Sequence, residues 1–213
     1  MSSPVIVAID GPAAAGKGTL ARRLAEALGL PYLDTGLLYR ATGRCVLDAG
    51  GDPADPATAT SAASALTPAD LQRADLRGPQ ADAAAAAVAA IPGVRAALLD
   101  FQRSFGRSSG AVLDGRDIGT VIFPEAQVKI FITASLAERA RRRFLELQAK
   151  GTPAAFDQVE ADMGARDAQD AARAAAPLKP ADDAVTLDTT DLDADAAFTQ
   201  ALTLTRARLA ARN

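Results

Sequence analysis

The first residues that could do chemistry form a glycine-rich turn near the start of the chain. Val5–Ile9 is a short β-branched apolar run that leads into G-P-A-A-A-G-K-G-T at residues 11–19. Helical spacing follows from Thr19 to Leu28, so the turn joins a buried strand to a helix. At such a junction glycines let N–H groups point inward, the helix N-terminus adds positive potential, and Lys17 can reach an outer phosphate. The GxxxxGK spacing predicts a phosphate-binding loop (P-loop) for a nucleoside triphosphate, with a chance turn in an alanine-rich chain as the alternative.

One position departs from the general P-loop pattern. Gly18 follows the lysine, where a Ser or Thr hydroxyl normally reaches Mg²⁺, so direct ligation of the metal by the loop is not expected. The G-K-G-T form is similar to the loop of nucleoside monophosphate kinases such as adenylate kinase. The residues predicted to bind the triphosphate are Gly11, Pro12, Ala13, Ala14, Ala15, Gly16, Lys17, Gly18 and Thr19.

Composition restricts the class of protein. The 213 residues, of which 49% are hydrophobic, suit one compact domain, and a net charge of −3 without a long basic run argues against a nucleic-acid polymer as ligand. The one cysteine, Cys45, cannot form an internal disulfide, and the first residues lack a charged-then-apolar leader. No run of eighteen apolar residues predicts a membrane span. We therefore expect a cytoplasmic monomer that binds neither membrane nor nucleic acid.

The chain contains no histidine and no tryptophan. This excludes histidine-dependent catalytic triads and histidine-ligated metal sites. The remaining chemistry depends on Lys, Arg, Asp and bound Mg²⁺, which suits phosphoryl transfer, since that reaction relies mainly on positioning and charge neutralisation.

Five short β-rich runs alternate with helical stretches and predict an α/β fold with a parallel sheet covered on both faces. The runs are Val5–Ile9, Tyr32–Leu33, Ala111–Leu113, Val128–Ile132 and Ala184–Leu187. Asp34, Asp114 and Asp188 stand at strand ends, where ligands of such sheets gather, although turn formation or helix capping is an equal alternative for each. Asp114 also resembles a Walker B aspartate, which would hold Mg²⁺ through its water shell.

The segments between the strands differ in character. Residues 52–70 are rich in Ala, Thr, Pro and Asp and predict a loop or weak helix. Ala81–Ala90 favours a helix, with mere compositional bias as the alternative, and a second helix is predicted for Val94–Phe105.

Four arginines fall within five residues, at positions 139 and 141–143. A solvated helix face is the ordinary explanation for such a run. Because it follows a sheet strand and precedes the flexible K-G-T-P at residues 150–153, we favour a mobile arginine-bearing lid over about residues 139–165.

The chain resembles the bacterial cytidylate kinases almost from end to end. The resemblance rests on I-D-G-P-x-x-A-G-K-G-T, L-D-T-G-x-x-Y-R, D-G-R-D-I-G-T-V-I-F-P, K-I-F-I-T-A-S, E-R-A-R-R-R and R-D-x-x-D-x-x-R-x-x-x-P-L, in that order. It implies a three-layer P-loop kinase fold with a five-stranded parallel sheet, a monophosphate-binding excursion at about residues 40–105 and the lid. It also implies ATP and Mg²⁺ as cofactors and phosphorylation of CMP and dCMP to their diphosphates.

The resemblance carries roles to matching positions. It implies that Lys17, Arg116, Arg139, Arg142, Arg143 and Arg173 act on the reacting phosphates. The residues implied to bind the monophosphate substrate are Asp34, Thr35, Tyr39, Arg40, Arg95, Arg116, Asp117, Arg166, Asp170 and Arg173. Arg95 and Asp117 are implied to read cytosine, whose amine suits a carboxylate and whose ring acceptors suit a guanidinium.

Several of these residues also have ordinary structural explanations. Arg166, Asp170 and Arg173 have the spacing of exposed helix salt bridges, Asp117 could cap a turn, and Tyr39 could belong to the core.

Two departures from the family concern the excursion. The stretch 67–82 is too short and too rich in Ala, Arg and Asp for the small β insert of the long enzymes. Ala86 stands where the family often has a serine that contacts the base, which weakens the expected discrimination against UMP.

Two alternative functions remain, one within the kinases and one outside them. A kinase for another small acceptor, including UMP, is the nearest alternative, and a nucleotide-hydrolysing switch protein is the more distant one. The guanine-specific switch is excluded, because its N-K-x-D motif needs an asparagine and Asn213 is the only one in the chain.

Overall fold

The computed structural model describes residues 4–211. The strands are β1 (Ile6–Asp10), β2 (Tyr32–Asp34), β3 (Ala111–Gly115), β4 (Val128–Thr133) and β5 (Val185–Asp188). The helices are α1 (Lys17–Leu28), α2 (Thr35–Asp48), α3 (Pro56–Ser64), α4 (Pro79–Ala89), α5 (Pro92–Ser109), α6 (Leu136–Ala149), α7 (Phe156–Ala172) and α8 (Ala194–Ala210). A 3₁₀ turn spans Asp70–Gln72 and a π-helical turn spans Ile118–Ile122.

The strands form one parallel sheet in the order β2-β3-β1-β4-β5. The central strand β1 pairs with β3 and β4, and its last residue, Asp10, lies opposite Gly115 and Phe131. All carboxyl ends therefore meet at one edge, where the loops after β1 and β3 leave the sheet. The predicted α/β class and all five predicted strands are confirmed, with ends that differ by at most two residues.

The chain divides into two compact units: a core unit of residues 1–33 and 109–213, and a helical unit of residues 34–108. In the core unit, the apolar faces of α1 and α8 pack on the sheet, because buried residues recur along them at helical spacing. Leu20 and Leu24 of α1 and Ala201 of α8 are at most 5% exposed. Helices α6 and α7 pack on each other around Ala140 and Met163.

The helical unit has its own apolar core. Leu38, Val46, Val88 and Leu98 are almost fully buried in it. Helices α2 and α4 approach so closely that a Cβ on Gly43 would lie 2.8 Å from the Cβ of Ala84. The alanine run is therefore a packed helix rather than a compositional accident.

Two stretches of the helical unit refine the sequence-based predictions. Residues 52–70 contain a regular helix, α3, which begins where the Asp55 carboxylate accepts a hydrogen bond from the Thr58 N–H at 2.8 Å. Between residues 67 and 82, all of them described, the chain forms turns and the first residues of α4 and contains no strand, as predicted.

Over residues 4–211, no single helix is both long and apolar enough to cross a membrane. Helices α4 and α5 meet that criterion only as a pair, with a 98° bend between them.

Candidate active site

The loop between β1 and α1 has the backbone geometry of an anion cradle. Gly11 has φ +149°, and a Cβ there would lie 2.0 Å from the Ile132 carbonyl oxygen, so only glycine fits. Gly16, with φ +90°, turns the chain into α1. Ala14 also adopts a positive φ, +55°, which is strained for a residue with a Cβ and is characteristic of functional loops. The loop is thus held in a conformation that places successive N–H groups at the N-terminus of α1.

Lys17 lies inside this loop and is only 6% exposed. Its Nζ donates a hydrogen bond to the Pro12 carbonyl oxygen at 2.6 Å. Burial, followed by the charge of the nearby Arg116, lowers the pKa of Lys17 to about 7, although the carboxylates of Asp114 and Asp10 oppose the change. A desolvated cation next to a guanidinium favours an incoming anion, since a phosphate would restore the charge that burial disfavours.

Asp114 stands at the end of β3 beside the loop. The Tyr32 hydroxyl donates to its Oδ1 at 2.7 Å, and a Cβ on Gly18 would lie 3.9 Å from its Oδ2. No group of three or more acidic or cysteine side chains suited to a metal occurs within residues 4–211. One carboxylate next to a phosphate cradle fits a Mg²⁺ ion that is held mainly by phosphates and water.

Asp10, which the sequence-based prediction did not single out, is a buried carboxylate of this region, with 6% of its surface exposed. Its two oxygens accept hydrogen bonds from the N–H groups of Ile118 and Gly119, each at 2.8 Å. Burial raises the pKa of Asp10 to about 6, although both hydrogen bonds oppose the rise. The residue joins the start of the P-loop to the segment that contains Arg116 and Asp117. Only its position before Gly11 in the I-D-G motif could have signalled it.

A buried ionic cluster connects β3 to α7. Asp170 is 8% exposed and accepts from Arg116 Nε at 2.9 Å and from a guanidinium nitrogen of Arg173. Burial alone would raise the pKa of Asp170, but Arg116 and Arg173 hold it below its ordinary value. The charge of Arg166 acts on both Lys17 and Asp170. The alternative of exposed salt bridges along one helix is wrong for Asp170, because the residue is buried and one of its two arginine partners, Arg116, lies 54 residues away in sequence.

Asp117 is 5% exposed and directly precedes the π-helical turn. Its side chain makes no capping hydrogen bond to that turn, so the capping alternative is not what the structure shows. Its carboxylate lies close enough to Asp10 to raise the pKa of that group.

The arginine run is neither a uniformly solvated face nor a free cluster. Arg139 is 5% exposed and donates to the Ala134 carbonyl at 2.9 Å, to the Ala13 carbonyl of the P-loop at 3.3 Å and to Asp167 Oδ2 at 2.6 Å. This side chain therefore ties α6 to the P-loop and to α7.

The other three arginines also have carboxylate partners. Arg141 and Arg142 share Glu138, at 2.7 Å and 2.9 Å, and Arg143 contacts Glu146 at 2.9 Å. The pKa of Glu138 falls to about 2, chiefly because Arg141 donates to it. Because each of these arginines is paired with a carboxylate, repulsion among them does not supply a force that would open a lid.

A pocket of about 290 Å³, also missed from the sequence, lies beside the P-loop. Gly16 and Thr19 form one wall, Arg141 and Arg142 another, and Thr189 and the following loop a third. Arg142 fixes that third wall by donating to the Thr189 hydroxyl at 3.1 Å and to its carbonyl at 2.5 Å. The mixture of aliphatic walls and guanidinium groups suits a flat aromatic ring.

The helical unit carries the other predicted residues. Asp34 precedes α2, and its carboxylate lies 3.2 Å from Arg77 and 3.9 Å from Arg40. Arg40 Nε also contacts Asp82 at 3.1 Å. These contacts place two guanidinium groups beside one carboxylate at the start of a helix.

Tyr39 belongs to the apolar core of the helical unit, as its ordinary structural explanation predicts. Its exposed fraction is 9%, and the Arg95 guanidinium lies 5.6 Å from the centre of its ring. Tyr39 therefore positions Arg95 through a cation–π contact.

The predicted residues divide between the two units. Lys17, Arg116, Asp117, Arg139, Arg142, Arg143, Arg166, Asp170 and Arg173 belong to the core unit. Asp34, Thr35, Tyr39, Arg40 and Arg95 belong to the helical unit.

Comparison with solved structures agrees with this fold. A gluconokinase from Sinorhizobium meliloti superimposes with a TM-score of 0.52 at 13% identity, covering 100% of this chain and 98% of that one. The structure of TT1252 from Thermus thermophilus gives a TM-score of 0.50 at 22% identity, over 98% and 99% of the two chains. These likenesses concern the fold alone.

Sequence comparison identifies the family. The family model for cytidylate kinase matches residues 7–207. A cytidylate kinase of Acidiphilium cryptum is 62% identical over 99% of both chains. A cytidylate kinase of Granulibacter bethesdensis is 63% identical over 95% of this chain and 97% of its own. The chain therefore belongs to the cytidylate kinase family.

Proposed function

We propose that this chain transfers the γ-phosphoryl group of ATP to CMP or dCMP, giving ADP and the corresponding diphosphate. The observation that carries the proposal is the buried Lys17, desolvated beside Arg116 inside a strained P-loop. Family membership over nearly the whole chain supports the choice of acceptor, because the relatives are named cytidylate kinases.

The donor is held by the core unit. The N–H groups of the P-loop and Lys17 bind the β- and γ-phosphates of ATP. The 290 Å³ pocket beside Gly16 takes the base, with Arg142 fixed by Thr189 and Arg141 58% exposed at the rim. The more exposed guanidinium can stack on a purine ring with little loss of existing contacts.

The acceptor is bound by charge and by hydrogen bonds of matching polarity. In this proposal Arg40, Arg116 and Arg173 bind its phosphate, with Asp34 and Thr35 shaping that site. Arg166 and Asp170 hold the sugar hydroxyls. Arg95 and Asp117 read the cytosine, since the carboxylate accepts from the exocyclic amine and the guanidinium donates to the ring acceptors.

The reaction requires alignment rather than a strong base. An oxygen of the CMP phosphate, already anionic, attacks the γ-phosphorus, and the bond to the ADP oxygen breaks in line. Lys17 and the arginines neutralise the charge that develops during transfer. Bound Mg²⁺ would supply further charge neutralisation at the phosphates, and Asp114 would hold its water shell.

An acceptor screen tests the proposal. CMP, dCMP, UMP, AMP and GMP are compared at fixed ATP by steady-state kinetics. We expect CMP and dCMP to have the highest kcat/KM. Slow ATP hydrolysis that no acceptor accelerates would instead indicate a switch protein.

Asp117→Asn is expected to lower kcat/KM for CMP by an amount equivalent to about 1–3 kcal/mol. The ratio of kcat/KM for CMP to that for UMP should fall as well. The reason is that an amide cannot accept from the cytosine amine in the way a buried carboxylate does. Kinetics with both acceptors measure the change. Asp195→Asn, at an exposed carboxylate on α8, is the control, and an unaltered CMP/UMP ratio in Asp117→Asn would leave Asp117 with a structural role only.

The lid prediction concerns residues 139–165. Residues 150–155, which join α6 to α7, are almost entirely exposed, whereas Arg139 anchors the start of the lid. We expect amide exchange over residues 144–162 to slow when a bisubstrate analogue joining CMP to ATP binds, and to slow much less with CMP alone, because phosphates compete for the arginines. Exchange in α8 is the internal reference. Equal protection of residues 144–162 in the free and doubly liganded protein would show a static surface.

A further inference from the structure

We infer that Asp10 is a positioning residue for acceptor recognition, holding the backbone at Ile118 and Gly119 so that Asp117 faces the base. The inference rests on the proposed function, because it assigns Asp117 to cytosine. It concerns a residue that contacts neither nucleotide in that proposal.

The geometry shows a clamp rather than a single contact. Both carboxylate oxygens of Asp10 are used, one by the Ile118 N–H and one by the Gly119 N–H, at 2.8 Å each. The two donors are consecutive and directly follow Asp117. A carboxylate with two bonded oxygens fixes both the position and the orientation of the backbone it holds.

The segment after Asp117 has an unusual backbone conformation. It forms a π-helical turn, in which Val121 N–H and Ile122 N–H both donate to the Asp117 carbonyl, at 2.9 Å and 3.2 Å. Such turns are rare and are stabilised mainly by their surroundings. Asp10, at the end of the central strand, supplies that support from 108 residues away in sequence.

Burying the ionised carboxylate of Asp10 is energetically unfavourable, which indicates that the carboxylate has a specific role. It is 6% exposed, and burial raises its pKa to about 6 against the two hydrogen bonds. Asp117 adds like charge and Lys17 adds opposite charge. A neutral capping residue would avoid this cost, whereas a carboxylate is the side chain that accepts from both N–H groups at once.

Asp10→Asn keeps the shape of the side chain but turns one oxygen into a donor that opposes a backbone N–H. The main measurement is the ratio of kcat/KM for CMP to that for UMP. Effects on ATP binding and on Lys17 cancel in this ratio, because the donor and the transfer step are the same for both acceptors. We expect the ratio to fall about tenfold.

A double-mutant cycle tests whether Asp10 acts through Asp117. In an Asp117→Asn background, Asp10→Asn should cause no further fall in the CMP/UMP ratio. Val128→Ala is the control for lost stability. Val128 is buried at the start of β4, three residues before Phe131, which pairs with Asp10. It should lower the melting temperature and leave the ratio unchanged.

Gly119→Ala tests the same contact by changing the residue that donates the hydrogen bond to Asp10. A Cβ there would lie 3.1 Å from Lys129 Cδ and 3.4 Å from Asp10 Oδ2, a tight fit that requires a small shift around the Asp10 carboxylate without altering its charge. The ratio should again fall. Should Asp10→Asn fail to fold, this variant decides the question.

Amide exchange at Ile118 and Gly119 measures the clamp independently of turnover. It should accelerate at least tenfold in Asp10→Asn and not in Val128→Ala. Faster exchange combined with a wild-type CMP/UMP ratio, or ratio effects that simply add in the cycle, would overturn the inference. Failure of the proposed function is a separate result, seen as wild-type protein without CMP-dependent turnover.

Discussion

Replacing Lys17 by alanine is expected to lower kcat by roughly two or more decades, because the ammonium group neutralises charge that grows in the transition state. The lysine is buried within the P-loop, and its Nζ donates at 2.6 Å to Pro12, so no other lysine can take its position. Steady-state turnover of CMP and ATP at saturation measures the effect.

Lys179→Ala controls for the loss of one positive charge at an exposed position. Its kcat should stay within about threefold of wild type, since surface charges outside such a site act weakly. A folded Lys17→Ala protein with near-wild-type turnover would remove the P-loop from the mechanism.

Replacing Arg139 by methionine is expected to lower the free energy of unfolding by about 3 kcal/mol, at the lower end of the range for breaking a buried ion pair. The guanidinium makes three hydrogen bonds, and its loss leaves Asp167 and the Ala13 carbonyl without their donor. The lower end applies because the Asp167 side chain is 26% exposed and keeps some contact with water. Urea unfolding measures the change.

Arg141→Met in the same helix is the matched control. Arg141 has a bidentate contact with Glu138, but its side chain is 58% exposed, so the loss should be no more than about 1 kcal/mol. Equal losses in the two variants would mean that Arg139 does not anchor α6 to the P-loop.

Local patterns in the sequence predicted the elements that carry the donor site. The P-loop was recognisable because glycine positions, a β-branched strand and a helical repeat coincide within residues 5–28. Strand ends were predicted within two residues, since each apolar run stops at a polar residue or glycine. Helix α3 was underestimated, although D-P at residues 55–56 is a helix-start signal in which Asp55 caps and proline occupies the first turn.

The features that sequence reasoning missed depend on contacts between distant residues. The Asp10 carboxylate accepts hydrogen bonds from N–H groups 108 and 109 positions away. Arg139 donates to the carbonyl of Ala13, 126 positions away. An arginine run has the same local pattern whether its members face water or carboxylates. Thr189 lines the pocket only because β5 brings its loop next to α6. No periodicity or motif in the chain encodes these pairings.

The most direct test of the central claim follows the transferred group itself. ATP labelled in its γ-phosphate is incubated with CMP and the wild-type protein, and the products are separated. We expect the label to move to the terminal phosphate of CDP, with one ADP formed for each CDP. Label released as inorganic phosphate, at a rate that does not depend on CMP, would contradict that expectation.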